Sequence, residues 1–559
     1  MTAVRRSIMI LALLLAATAL FAQQAPVARA TEAVTAETDG DALDPRAMRL
    51  TLNDAVKTAL TQNLGVQIQD YEYRIAGEGL RGEYGLFDWI ASARAEQATN
   101  ESPTISTFSA SASKSTSVNG AVQQIIPTGG QYRVGWTNSK VSTTGGGTFV
   151  NPAYRSGLQL SFTQPLMRDF GVDVTRRGIT IARNNLGITE GAFRTVLMDT
   201  VSSVEQAYLD LIYSRRAVDV VKESLFLARD QSRITQIRID VGASAPLDIL
   251  QPRVTIATTE ESLIRSVANV RYAEDRLRAL LNLPRSEWDR PIVPAEDVAF
   301  TPMTIRMEDA VNQALRNRPE MSQQALATDT LRIRALYARN QTLPTLDLEL
   351  GYNLGGLAGR TLELDDDGVP TGRIVSSGYS DALSQLAGLD FPSWNVAVNV
   401  GVPITNIAAR AQRRAAELDL EQSRAQMAQT EQAIAVEVRL AARAVEEFSR
   451  TIAATRAARE AAEQNVQAER RRFENGMTTN FQVLEVQQQL SDSRVRELQA
   501  IVGYNKAVAA YHRAVGDILD VHGIAFTAPE RVEEPRMFSF LDRYNWLNYG
   551  SRVRTESEP

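Results

Sequence analysis

Two hydrophobic periods alternate along the chain. In the first, apolar residues step by four and three over long stretches: Leu197, Val201, Val204, Tyr208 and Leu211, continued by Val218 and Leu225, and later Ile434, Val438, Ala441, Val445, Phe448 and Ile452. Seams sustained this far without proline or a cap predict coiled-coil helices rather than ordinary globular ones. The stretch from about 173 to 240 predicts one rod on the order of 100 Å long at 1.5 Å per residue. Alanines at Ala408, Ala409, Ala411, Ala415 and Ala416 raise helix propensity and let neighbouring helices approach closely. The stripes themselves are read as helix core, so function has to come from the architecture they build.

Before each rod the period falls to two. Trp394, Val396, Val398, Val400 and Val402 alternate with Ser393, Asn395, Ala397, Asn399 and Gly401, and Leu346, Leu348, Leu350 and Tyr352 with Thr345, Asp347, Glu349 and Gly351. The earlier half offers Leu158, Leu160 and Phe162, then Tyr132, Val134 and Trp136, and a weaker run from Trp89. Strands with this alternation and with aromatics near their ends suit a membrane barrel, and they equally suit a half-buried antiparallel sheet. Counted at two strands per half, they are too few to close a barrel without an edge in lipid, so membrane strands would require several subunits. A Ser/Thr/Gly-rich region from about 101 to 157 predicts an extra hairpin turning at Pro127-Thr128-Gly129-Gly130, either in the wall or projecting from it. Gly145-Gly146-Gly147 and Gly355-Gly356 are read as outer loops, and neither has the context of a phosphate-binding loop.

The pattern is used twice. Leu50-Thr51-Leu52-Asn53-Asp54-Ala55-Val56 with Ala59-Leu60 returns as Ile305-Arg306-Met307-Glu308-Asp309-Ala310-Val311 with Ala314-Leu315. The Gly turn at Val241-Gly242, followed by a helical pattern to Leu283, returns at Asn475-Gly476 with a helix to Leu519. An internal tandem duplication follows. The expected divisions are a signal peptide at 1–25, an N-terminal segment at 26–48 and a first repeat at 49–284. A linker at 285–303, a second repeat at 304–519 and a C-terminal tail at 520–559 complete the chain.

Composition narrows the function. The 559 residues carry a net charge of -6 and a pI of about 5.4, with both signs interspersed, which disfavours nucleic acid as a partner. Arg5 and Arg6 precede an apolar run from Ile8 to Ala22 that is shorter than a membrane span, followed by small residues suited to signal cleavage. The absence of cysteine excludes disulfides and an acylated cysteine anchor. His512 and His522 lack a nucleophile or metal-ligand pattern around them, so neither an enzyme nor a cofactor is expected.

Taken together, these residues resemble the TolC-like outer-membrane efflux protein (outer membrane factor) family over Leu50 to Leu519. The resemblance is carried by the repeated opening frame, the repeated Gly turn and two matching strand exits. Those exits are Thr163-Gln164-Pro165-Leu166 and Gly401-Val402-Pro403-Ile404. It implies an α+β membrane protein in the outer membrane of a Gram-negative bacterium. It further implies a homotrimer sharing a twelve-stranded antiparallel β-barrel, continued by a long periplasmic α-helical barrel with an equatorial domain at 285–303 and beyond 520. The implied role is the exit duct of a tripartite efflux pump or a type I secretion system. Its partners would be a periplasmic adaptor (membrane fusion protein), an inner-membrane transporter and outer-membrane lipid.

By the same resemblance the periplasmic tip is gated by the turns at Gly242 and Gly476. Asp248 falls on the family's acidic tip position, and Gln482 and Glu485 on a pair of positions that are often both acidic. Phe473 and Thr478 stand where relatives place a locking Tyr and Arg, which leaves Arg471 or Arg472 as substitute locks, or packing alone. Asp248 and Glu485 also fit the plainer role of acids at positive helix starts. The rival class, a periplasmic coiled-coil adaptor or scaffold, shares the signal and the helices but has no need of the alternating strands.

Overall fold

The computed structural model describes residues 47–103, 110–145, 150–364 and 370–526. The signal peptide, nearly all of the 26–48 segment, Gly146, Gly147 and the tail beyond 526 lie outside the described residues. In chain order the elements are β1 (Met48–Leu50), α1 (Leu52–Gln62), α2 (Leu64–Tyr84), β2 (Ile90–Glu101), β3 (Ala112–Ile125), β4 (Gln131–Thr144) and β5 (Val150–Pro165). After a one-turn helix come α3 (Arg177–Asp240), α4 (Leu250–Leu281), β6 (Ile292–Pro294), α5 (Met307–Asn317) and α6 (Pro319–Asn340). The chain continues through β7 (Thr345–Leu364), β8 (Pro370–Ser376), α7 (Tyr379–Gly388), β9 (Pro392–Gly401), α8 (Ile407–Glu474), α9 (Asn480–Val515) and α10 (Ile518–Val521). It divides into two compact units, one of helices (described residues 47–72, 190–323 and 427–526) and one built around a sheet (73–189 and 324–426).

In the helical unit the opening frame explains itself. The Thr51 hydroxyl accepts from the Asp54 amide at 3.1 Å and caps α1, while Ala55, Val56 and Ala59 are buried. In α5 the buried positions are Ala310 and Ala314. The first predicted seam, from Leu197 to Leu225, is buried in one core with residues of α1 and α4. Ile434, Val438, Val445 and Ile452 are buried in a second core with α5 and α9. In each core a buried tyrosine bonds to the backbone of the segment that leads into the core's short helix, α1 or α5. The Tyr208 hydroxyl donates to the Leu50 carbonyl at 2.9 Å, and the Tyr504 hydroxyl donates to the Thr301 carbonyl at 2.8 Å. Beside the first core, β1 pairs in parallel with β6.

Further along the rods an ion network joins three helices. Arg494 of α9 reaches Glu223 of α3 at 2.6 Å and Glu463 of α8 at 3.4 Å, and Arg459 reaches Glu463 at 2.9 Å. Partial burial pushes the Glu463 carboxyl up, but hydrogen bonds and charge from Arg459 and Arg494 outweigh it and hold it below the ordinary carboxylate value. A depressed carboxyl contributes stability above its unfolded pKa and loses it as pH falls through the folded one. Melting temperature should therefore drop as pH is taken below about 4.3. Glu463→Gln should flatten that part of the profile, which thermal melts at a series of pH values will read.

The second unit is built on one antiparallel sheet in the order β2-β3-β4-β5-β7-β9, with β8 also pairing β7. The extra hairpin therefore lies in the sheet, as β3 and β4, and the first half contributes four strands where two were counted. Those strands are easily overlooked because Ser113, Ser115, Ser117 and Asn119 make one face of β3 polar while Gly120 interrupts the other. Gly355 and Gly356 are not an outer loop but lie within β7. A Cβ on Gly356 would stand 2.1 Å from the Ala382 carbonyl oxygen, so the glycine is what lets α7 lie against the strand.

Register places the two face sets consistently across all six strands. One face carries Val396, Leu350, Phe162 and Tyr132 in one row, and Trp394, Tyr352, Leu160, Val134, Val122 and Ala91 in the next. The other face carries Asn395, Gly351, Ser161, Arg133, Gln123 and Ile90 in a single row. Beyond the apolar rows the first face turns polar. There the Ser156 hydroxyl donates to the Asn138 side-chain oxygen at 2.6 Å, and Tyr379 of α7 donates to the same oxygen. Gln385 of α7 brackets Leu357, accepting from its amide at 2.8 Å and donating to its carbonyl at 3.1 Å.

Candidate functional site

Two places in the molecule have the character of a site: the tip of the helical unit, where both Gly turns lie, and the exposed apolar face of the sheet. At the tip, α3 and α8 end alike. Gly242 and Gly476 have φ of 76° and 71°, the left-handed conformation that closes a helix at low cost only for glycine. Ala243 N–H donates to the Arg238 carbonyl at 2.7 Å and Met477 N–H to the Arg472 carbonyl at 2.9 Å, satisfying the helix ends. The next helices start in different ways. Asp248 sits in a 3-10 turn and its carboxylate accepts from the Ala245 amide at 3.1 Å, whereas Thr479 caps α9 by accepting from the Gln482 amide at 3.4 Å.

Between the turns is a cleft of about 430 Å³ whose lining includes Arg238, Asp248, Phe473, Gly476, Thr478 and Asn480. Phe473 is buried. Arg238, the basic residue of the last turn of α3, lies over its ring at 4.4 Å from the centroid and donates to its carbonyl at 2.9 Å. Asn480 accepts from the buried Gln231 at 2.7 Å and donates to the Asp248 carbonyl at 3.4 Å. The two hairpins are thus tied by an Arg–Phe stack and a Gln–Asn–backbone chain.

Of the residues singled out in the sequence, Asp248, Phe473 and Gly476 meet at this cleft, with Thr478 beside them. Gly242, Gln482, Glu485 and Arg472 do not line it. Arg472 pairs with Glu469 at 3.3 Å one turn back, while Arg238 is the arginine on Phe473; the aromatic residue recruits it through ring and carbonyl without needing a hydroxyl. Glu485 is exposed and accepts from Gln489 at 3.4 Å, and the Gln482 side chain is exposed. Sequence reading passed over Arg238, Gln231 and Asn480. The available signal was a cation in the last helical turn, a position also favoured for the helix dipole alone. Around the cleft Val241, Leu247, Met477 and Phe481 are exposed.

The histidines are held by carboxylates, His512 by Asp517 at 2.9 Å and His522 by Glu205 at 3.2 Å. Among the described residues no group of three or more His, Asp or Glu could hold a metal ion, and no helix is long and apolar enough to cross a membrane. The sheet differs. Trp394, Val396, Val398 and Val400 of β9 are all more than half exposed, next to Leu350, Tyr352, Leu160, Val134 and Trp136. A contiguous apolar face of this extent marks a surface made for another apolar phase.

The fold thus combines an exposed apolar sheet face with long coiled-coil helices. The sequence profile of the outer membrane efflux protein family matches residues 91–283 and 310–517, more than half of the chain, and the protein belongs to that family. Members are transport conduits of the Gram-negative outer membrane with a periplasmic portion, and homotrimeric parts of pumps that include an adaptor and an inner-membrane transporter. Nodulation protein T of Rhizobium leguminosarum bv. viciae is 25% identical over 139 residues, a stretch covering 25% of this chain and 28% of that protein. The outer membrane channel CmeC of Campylobacter jejuni shares the fold at a TM-score of 0.60 with 15% identity, covering 89% of each chain. VceC, an outer membrane protein of Vibrio cholerae, does so at 0.59 and 15%, covering 83% of this chain and 96% of its own.

Proposed function

We propose that the protein is a passive exit duct, a homotrimer whose sheets share one outer-membrane barrel and whose helices form a periplasmic tunnel gated at the tip. It would serve a tripartite efflux pump or a type I secretion system through a periplasmic adaptor and an inner-membrane transporter. The observation that carries this reading is the sheet, in which most of the bulky apolar residues of six strands share one face, many of them exposed. The exposed Val241, Leu247, Met477 and Phe481 support the tip as the adaptor-docking end. The repeated order of helix pair, strands, long helix, Gly turn and returning helix supports the tandem-repeat divisions at 49–284 and 304–519, joined through 285–303.

The test is to separate membranes, purify the mature protein in detergent and determine its mass. A trimer that stays in the outer membrane until detergent is added supports the duct; a soluble monomer or dimer overturns it in favour of a periplasmic adaptor. Glu485 and Asp248 are assigned to the entrance, where repeated carboxylates attract cations. Glu485→Ala should lower the cation-to-anion permeability ratio in single-channel recordings on the order of two- to fivefold. An unchanged ratio removes Glu485 from the entrance.

A further inference from the structure

The sheet has two free edges, and their chemistry says what covers them. Six strands run in line, and β8 adds to the β9 side of β7 beyond the end of β9; among the described residues β2 pairs only with β3 and β9 pairs only with β7. Each edge is a row of unpaired amides and carbonyls along 12 residues of β2 and 10 of β9. In hydrocarbon each such group costs several kcal/mol, so a membrane sheet has to close. Six strands cannot close on themselves, because barrels in membranes start at about eight.

Resting on the trimeric duct reading, we infer that β9 of one copy pairs with β2 of the next, and that three copies close a barrel of eighteen strands instead of twelve. The strand directions permit it. With all neighbours antiparallel and six strands in line, β2 and β9 run in opposite senses, so β9 meets the next β2 antiparallel. The faces also match. The face that carries Trp394, Val396 and Val398 on β9 carries Ala91, Ala93 and Ala95 on β2, setting bulky side chains beside small ones. The opposite face sets Asn395 and Asn399 beside Ser92, Arg94 and Glu96, a polar pairing suited to a water-filled lumen. The only proline in β9, Pro392, is its first residue, where the missing amide interrupts least.

The extra hairpin then has a function: it widens the duct in the membrane. At about 4.8 Å between strands and a tilt of about 40°, eighteen strands enclose a backbone diameter of about 36 Å, against about 24 Å for twelve. Small water-facing residues, among them Ser117, Ala121, Gly135, Gly157 and Ser161, keep that width open.

Because the chain has no cysteine, introduced pairs are its only thiols. Val396→Cys and Val398→Cys are each combined with Ala91→Cys, Ala93→Cys, Ala95→Cys or Gln97→Cys, a set that scans the register. Oxidation of the purified trimer should convert most of the chain to covalent dimers and trimers on a denaturing gel at one register. Single variants, and pairs with Ser92→Cys on the opposite face, should stay monomeric. A density map of the unmodified trimer should count eighteen strands. A trimer that cross-links at none of these pairs, or whose map shows twelve strands, overturns the junction and leaves the duct standing. A chain that forms no trimer overturns both.

Discussion

Replacing Glu274 with leucine is expected to destabilise the helical unit by about 3–5 kcal/mol, the usual consequence of leaving a buried charge without its partner. Glu274 of α4 is 0% exposed and its carboxylate is saturated. It accepts from Arg215 at 2.9 Å, from Arg271 and Arg278 at 3.2 Å each, and from the Ile292 amide of β6 at 3.1 Å. Arg215 and Arg271 keep some exposure and can turn toward water, whereas Arg278, at 4%, cannot. The penalty therefore falls mainly on Arg278, which retains only Asp275 and the Arg290 carbonyl. Glu274→Leu combined with Arg278→Met should recover part of the loss, since a paired buried charge can often be replaced by matched apolar residues at little cost. Glu261→Ala on the same helix breaks an exposed pair with Arg265 and should stay within about 0.5 kcal/mol. Thermal and denaturant unfolding of the purified protein rank the four proteins; a Glu274→Leu protein that unfolds like the parent would show that Arg278 finds water.

What could be read beforehand, and what could not, follows from the range of the interactions involved. The coiled-coil seams were legible because Val201, Val204 and Leu211 repeat a local geometry, and each buries as its spacing implies. The opening frame was legible for the same reason, as Thr51, Ala55 and Ala59 act within one helix. β3 escaped as a wall strand because its face set is completed only by neighbours: Val122 looks isolated alone and becomes part of an apolar row beside Val134 and Leu160. Gly355-Gly356 has the composition of a loop. Its place inside β7 depends on α7 arriving from about 25 residues later, as the bracketing of Leu357 by Gln385 shows. At the tip, acids were sought where the resemblance put them, but what ties the hairpins is an arginine 235 positions from its aromatic partner. Such a pair leaves no periodic trace in the sequence.

Gly129→Val should disrupt the β3–β4 hairpin by about 2–5 kcal/mol, the sum of two separate costs. The first is conformational: Gly129 has φ 91°, a region that β-branched residues avoid. The second is steric, since a Cβ there would stand 2.4 Å from the Asp169 carbonyl oxygen and 3.3 Å from Pro165 Cγ. The neighbouring backbone has little freedom to yield. The Gly171 amide donates to the Thr128 carbonyl at 3.1 Å, and the Asp169 amide donates to Asn340 at 2.8 Å, so the turn is wedged against a corner shared by both halves of the chain. Gly135→Ala is the matched control within β4, because its nearest neighbouring atom, on Gln159, would be 3.9 Å away; stability should stay within about 1 kcal/mol. Hydrogen exchange of β3 and β4 amides reads the local effect and native mass reads the global one. If the hairpin is part of a closed wall, its loosening should spread to the edge strand β2, which among the described residues pairs only with β3, and reduce the trimer fraction. If β2 to β4 were an appendage outside the barrel, exchange in the hairpin would rise while the trimer persisted, and the strand count of the barrel would have to fall.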